Sequence, residues 1–377
     1  MRIIGGNVFD GDGFAVRDLV IDQGRFVEAP AGVSTGEGAV ETVDAAGCSV
    51  IPGLIDVHFH GCCGADLCDG TDEALTAIAR HEARRGITSI CPATMTYPED
   101  TLARIVSVAA AHRPAADEAR LVGINMEGPF ISSGKIGAQN PAYVQVPDVD
   151  MMRRLQEAAR GLVKLVDLAP ESQGALDFID QMAGEVRISL AHTTAGYDCA
   201  AEAFARGARQ LTHLYNAMPG LHHREPGPIA AAFEHDEVTA ELIADGVHIH
   251  PAMVRMAFTL FGDDRIILVS DTMRAAGLED GDYDLGGQNV TVRGNTATLA
   301  NGALAGSVTD LASCLKWAVA EAGIPLASAV KAATENPARA IGIADEAGSL
   351  APGYLADAVI LDQDLNVKHV ILRGALL

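Results

Sequence analysis

The 377-residue chain is long enough for one large α/β domain with a small appendage, and hydrophobic residues at 49% can bury a substantial core. Its 50 acidic against 27 basic side chains give a formal net charge of -23, which argues against nucleic acid or an anionic membrane as partner, because both would be repelled at long range. The apolar stretches are short and broken by charge or glycine, so no membrane-spanning helix is predicted.

The opening Met1-Arg2-Ile3-Ile4-Gly5-Gly6-Asn7 reaches turn residues at once and lacks the pattern of a signal peptide, which points to the cytoplasm. Residues 1–50 alternate short strands with Gly and Asp turns, as at 19–25, and residues 29–38 read as a loop poor in bulky apolar side chains. Eight apolar runs rich in β-branched residues follow, at 50–60, 88–92, 121–127, 163–168, 188–192, 210–213, 239–245 and 266–271. Each leads into a segment with helical periodicity, the mark of parallel strands with helical crossovers. The predicted fold is α/β, a (β/α)8 TIM-like barrel spanning 51–345. Strand-like runs at 358–362 and 370–374 would pair with the N-terminal strands, giving a small β-sandwich domain from 1–50 plus 346–377. Among seven cysteines, Cys62, Cys63 and Cys68 cluster without paired CxxC spacing, so neither structural zinc nor disulfides are expected, and Cys91 reads as a small core hydrophobe.

In a barrel of this kind functional residues gather at the C-terminal ends of the strands. His58 and His60 end the first run, Glu127 the third, His192 the fifth, His213 the sixth and Asp271 the eighth. Any one of these histidines alone reads as a hydrogen-bonded, partly buried side chain, but together they form a metal-ligand set. Neutral imidazole suits zinc, iron or nickel, and Glu127 offers an oxygen that can bind one ion or bridge two. Asp271, at the end of an apolar strand, needs a partner, which a water activated by the metal supplies. Its alternative is a helix cap.

The segments 52–61 (PGLIDVHFHG) and 352–358 (PGYLADA) resemble the two ends of the amidohydrolase superfamily. The interior strings 126–130 (MEGPF), 191–193 (AHT), 212–218 (THLYNAM), 224–227 (REPG), 244–248 (ADGVH), 270–271 (SD) and 304–307 (LAGS) are similar to the N-acetylglucosamine-6-phosphate deacetylases, in the right order over nearly the whole chain. The resemblance implies one or two divalent ions, zinc or iron, with Glu127, His192 and His213 as main ligands and His58 and His60 supporting a second ion. It implies Asp271 as general base and acid, and His248 as a substrate contact near the scissile amide. It places phosphate and sugar at Asn216, Ala217 and Arg224, with Gln139, Leu304 and Gly306 completing the substrate site, and it suggests a homodimer whose partner contributes to the phosphate site. Unaided, Arg224 reads as a surface salt bridge.

The chain departs from the family's pattern in having Asn125-Met126 where His-Leu is common and Gln139 where some members carry histidine, and the end of the fourth run offers no bridging lysine. The expected activity is release of acetate from N-acetyl-D-glucosamine 6-phosphate. The alternatives are the galacto-configured sugar phosphate, another amidohydrolase substrate such as a cyclic amide, or a barrel without catalysis that senses sugar phosphates.

Overall fold

The computed structural model describes residues 1–28 and 41–377, so the loop predicted at 29–38 lies outside the described residues. Eight parallel strands run in chain order: β1 (Leu54–Asp56), β2 (Ile87–Ile90), β3 (Ile124–Met126), β4 (Val163–Leu168), β5 (Arg187–Leu190), β6 (Gln210–Leu211), β7 (Thr239–Ile243) and β8 (Ile266–Val269). β1 pairs with β2, and β3 through β8 form one six-stranded sheet in sequence order. An isolated parallel bridge, Ala93 to Asn125, links the two groups. The result is a mixed α/β fold with a curled parallel sheet. Past the ends of β8 and β1 the backbones also meet, with Asp271 N–H donating to the His58 carbonyl at 2.9 Å and His60 N–H to the Thr272 carbonyl at 2.7 Å.

These strands read as continuous apolar runs because both their faces are buried. The crossover helices start where the sequence supplies caps: the Thr71 side chain accepts from Ala74 N–H before Asp72–Arg84, Asp148 from Met151 N–H before Val149–Ala158, and Asp310 from Ser313 N–H before Leu311–Ala320. Cys91 is fully buried among Ile55, Val57 and Leu165, as its surroundings in the sequence suggested.

Two predicted runs divide. Residues 50–60 are not one strand: Ser49–Pro52 pairs antiparallel with Ala358–Leu361, and only Leu54–Asp56 joins the parallel sheet. The change of partner occurs at Gly53, where a Cβ would lie 2.1 Å from the Thr88 hydroxyl, so only glycine lets the chain pass between the two sheets. Residues 121–127 likewise split, Arg120–Leu121 pairing with β2 and Ile124–Met126 with β4.

The terminal strands do come together. Ala375–Leu376, Val367–Leu372, Ala358–Leu361, Ser49–Pro52, Arg2–Phe9, Phe14–Asp22 and Arg25–Val27 are hydrogen-bonded in that order, with Thr42–Asp44 also on Arg2–Phe9. Alternation serves two cores: Val50, Ala358 and Ile360 pack with Ile3, Val8 and Phe26, while Ile51, Val359 and Leu361 face the main core. A three-stranded antiparallel sheet, Gly281–Leu285, Gln288–Arg293 and Thr296–Leu299, follows β8 and was not anticipated. Its signal was present in the two-residue turns Gly286-Gly287 and Gly294-Asn295 between alternating apolar residues.

Candidate metal centre and substrate cleft

The chemistry-bearing residues sit just beyond the strands rather than on them. His58 and His60 follow β1, Glu127 follows β3 directly, and His192, His213 and Asp271 each come two residues after β5, β6 and β8. The last three have positive φ, at 42°, 30° and 50°. Left-handed backbone costs a non-glycine residue on the order of 1 kcal/mol, and three such turns at one rim mark a place where side-chain direction outweighs local comfort.

These turns aim their side chains at Glu127. Its Oε1 lies 2.9 Å from Nε2 of His192, 3.3 Å from Nε2 of His213 and 3.7 Å from Nε2 of His58, and its Oε2 lies 3.2 Å from Nε2 of His60. Asp271 Oδ1 is 3.4 Å from Nε2 of His60 and 3.9 Å from Nε2 of His58. All six side chains are buried. They fall into two ligand groups, Glu127 with His192 and His213, and Asp271 with His58 and His60.

The hydrogen-bond partners test whether a cation fits. His192 Nδ1 faces the Lys135 carbonyl at 2.8 Å, His60 Nδ1 the Ala93 carbonyl at 3.3 Å, and His58 Nδ1 the Glu241 carboxylate at 2.7 Å. Each partner only accepts, so each Nδ1 carries hydrogen and each neutral ring turns its Nε2 lone pair toward the oxygens of Glu127 and Asp271. Lone pairs facing lone pairs across about 3 Å require a positive charge between them, and among the described residues the buried His58 Nε2 has no hydrogen-bond partner. The donor set therefore fits a divalent ion, with outer partners orienting the rings of His58, His60 and His192 as metal-bound histidines require.

Protonation is the other way to supply that charge, and it sets the direction of every shift in the metal-free cluster. Burial works against charge on His60, yet its bonds to Asp271 and Glu127 outweigh it and raise the pKa to about 10. Burial likewise favours a neutral Glu127, but the four imidazoles hold it well below the usual carboxylate range. Burial also pushes Asp271 up, and His60 with His58 pulls it below its ordinary value. Both carboxylates are ionised at neutral pH.

A cleft of about 510 Å³ opens over the cluster. Of the residues expected to hold substrate, His248, Asn216, Ala217, Gln139, Leu304 and Gly306 line it, and Arg224 does not. Arg224 is exposed and its guanidinium donates to Nε2 of His223 at 2.7 Å. Gln139 has both amide ends engaged: Nε2 donates to Glu127 Oε2 at 2.7 Å and Oε1 accepts from Thr96 N–H at 2.7 Å. His248 is fixed through Nδ1 by Asp245 Oδ2 at 2.7 Å, leaving Nε2 for the cleft. Two further residues are not evident from motif or strand-end position: Lys135, which lines the cleft, and Glu241, whose one signal in the sequence is a carboxylate inside an apolar strand, where burial demands a partner as it does for Asp271.

Residues 49–377 match the amidohydrolase family. The chain is 39% identical over 331 residues to an N-acetylglucosamine-6-phosphate deacetylase of Bacillus subtilis (strain 168), covering 86% of this chain and 83% of that protein. It is 36% identical over 327 residues to an N-acetylgalactosamine-6-phosphate deacetylase of Escherichia coli O157:H7, covering 86% of each. A solved structure of a mutant N-acetyl-D-glucosamine-6-phosphate deacetylase from Mycobacterium smegmatis, in complex with N-acetyl-D-glucosamine-6-phosphate, superposes with a TM-score of 0.93 at 35% identity, covering 100% of this chain and 98% of that one. The motifs, the convergent ligand set and these matches agree, and the chain belongs to the amidohydrolase family.

Proposed function

We propose that the protein hydrolyses the acetamide of N-acetyl-D-glucosamine 6-phosphate, giving D-glucosamine 6-phosphate and acetate. The observation that carries this reading is the convergence of four imidazoles and two ionised carboxylates below one cleft in a chain whose relatives deacetylate amino sugar phosphates. Glu127, His192 and His213 would hold one divalent ion, zinc or iron, and His58, His60 and Asp271 a second. When bound, such an ion polarises the amide carbonyl and lowers the pKa of water towards neutrality. Asp271, ionised and at the rim, takes a proton from the attacking water as its oxygen bonds to the carbonyl carbon, and returns that proton to nitrogen as the C–N bond breaks. His248, held by Asp245, presents Nε2 to the carbonyl oxygen as negative charge develops there. Asp271→Asn should lower acetate release from N-acetyl-D-glucosamine 6-phosphate by roughly a hundredfold or more with the protein still folded, and wild-type turnover in that variant would remove Asp271 from the mechanism.

The same reading extends to the molecule. The backbone bonds between the exits of β8 and β1 support a closed (β/α)8 barrel over 51–345, and the separate apolar cluster around Phe26 supports a sandwich from 1–50 plus 346–377. Lys135, Asn216 and Ala217 would meet the sugar phosphate in the cleft. Arg224, outside its own cleft, fits a homodimer in which it serves the neighbouring site. A charged sugar phosphate does not cross a lipid bilayer, so an enzyme acting on it must share the compartment that holds it, which supports the cytoplasm as its place. The galacto-configured sugar phosphate is a second reading, favoured by the 36% identity to its deacetylase. Parallel assays of both epimers, with and without the 6-phosphate, separate these readings.

A further inference from the structure

Behind the histidines lies a carboxylate that the mechanism above does not use. Glu241 is fully buried in β7 beside Ala240 and Leu242. An ionised carboxylate there is costly unless its lone pairs are filled, and they are. Oε2 accepts from Nδ1 of His58 at 2.7 Å and from the backbone N–H of His213 at 3.2 Å, while Oε1 accepts from Nε2 of Gln210 at 2.6 Å. The Gln210 amide has one workable orientation. Its Oε1 receives Nε–H of Arg187 at 2.8 Å and the Thr239 hydroxyl at 3.1 Å, so its NH2 must face Glu241.

This chain of donors ends at His58. Because Glu241 only accepts, hydrogen resides on Nδ1, and the Nε2 lone pair points at Glu127 Oε1 and Asp271 Oδ1, 3.7 and 3.9 Å away. We propose that Glu241 is a positioning residue that sets the tautomer of His58 and thereby decides whether a cation is held by His58, His60 and Asp271. The inference rests on the metal reading given above. The other ligand group is less dependent on Glu241, since the Lys135 carbonyl orients His192 and only a backbone N–H of His213 touches Glu241.

Glu241→Gln keeps the size but offers one acceptor oxygen where two are needed. With the NH2 of Gln210 fixed, turning that oxygen to Gln210 sets the new NH2 against both Nδ1 of His58 and the backbone N–H of His213, and turning it to those two sets NH2 against NH2 at Gln210. In the first orientation Nδ1 must accept and the ring hydrogen moves to Nε2, into the ligand position; in the second the amide is pushed off Gln210 and no longer holds the His58 ring in place. The exchange variant Gln210→Glu/Glu241→Gln reverses this, because the new carboxylate accepts from the new amide and turns the amide oxygen back to His58, while gaining Arg187 as a partner.

The test titrates metal-free, full-length protein with Zn2+ against a chromophoric chelator, checks bound zinc by atomic emission, and follows folding by circular dichroism. Wild type should show a zinc class abolished by His58→Asn and another abolished by His192→Asn. Glu241→Gln should weaken the first class roughly 10- to 100-fold and spare the second, and the exchange variant should restore the first. In a His58→Asn background Glu241→Gln should have no further effect on zinc. Unchanged first-class affinity in Glu241→Gln, or a folded exchange variant that does not recover it, would overturn the proposal. Absence of any His58-dependent zinc class in wild type would instead sink the two-ion reading and the proposal with it.

Discussion

His248 and Asp245 show how one side chain is set for its task by another. Burial favours a neutral imidazole, but the hydrogen bond and charge of Asp245 outweigh it, so the pKa of His248 ends above its ordinary 6.5, while His248 draws Asp245 below its ordinary 3.8. The raised histidine contributes stability that is complete below pH 6.5 and fades as pH rises through its folded pKa. The depressed carboxylate contributes stability that is complete above pH 3.8 and fades as pH falls through its folded pKa. The pair is therefore strongest between those two values. Asp245→Asn should move the His248 titration downward, as read from its ring-proton chemical shift, and an unmoved titration would separate the two residues. Individual residues were legible where chemistry is rare in its surroundings: histidines and carboxylates ending apolar runs announced themselves. Arg224 was legible only through resemblance, and its position outside the cleft depends on a surface turn that no periodicity encodes.

At the scale of elements, the strand exits are held by neighbouring loops. Gly306 lies at φ +63° with its missing Cβ only 2.9 Å from the Asp271 carbonyl, which accepts from Ser307 N–H at 2.6 Å. Gly306→Ala should cost on the order of 1–3 kcal/mol in stability, seen in thermal or urea melts. Because the shift falls on Asp271, kcat should drop more than KM rises, and equal kinetics would show that the clamp does not govern the turn. All eight parallel strands were anticipated from composition, since a strand buried on both faces writes itself as an uninterrupted apolar run. Where two short strands abut, that same continuity hides the junction, as at Gly53 and again between Leu121 and Ile124. The antiparallel insertion after β8 was overlooked because its outward positions are polar and its apolar face is narrow, with Val290, Val292 and Leu285 among its few buried residues.

For the whole molecule, metal and fold should be linked. Six buried ligand-type side chains lose their counter-charge when the ion is removed, so chelation followed by dialysis should lower the melting temperature, and Zn2+ should restore it. A ligand at a thousand times its Kd adds about 4 kcal/mol, so the shift should be several degrees, and none would mean that the cluster holds no ion tightly. The surface charge of -23 opposes any phosphate at a distance, which leaves capture to the close contacts of the cleft. The strand order carries a last consequence, for synthesis. Ser49–Pro52 has Arg2–Phe9 on one edge and Ala358–Leu361 on the other, so a nascent chain leaves the ribosome with that second edge unpaired until almost everything else has emerged. Throughout translation the small sheet waits with hydrogen-bonding groups bare, and premature termination before residue 358 would release a product prone to stick to its copies.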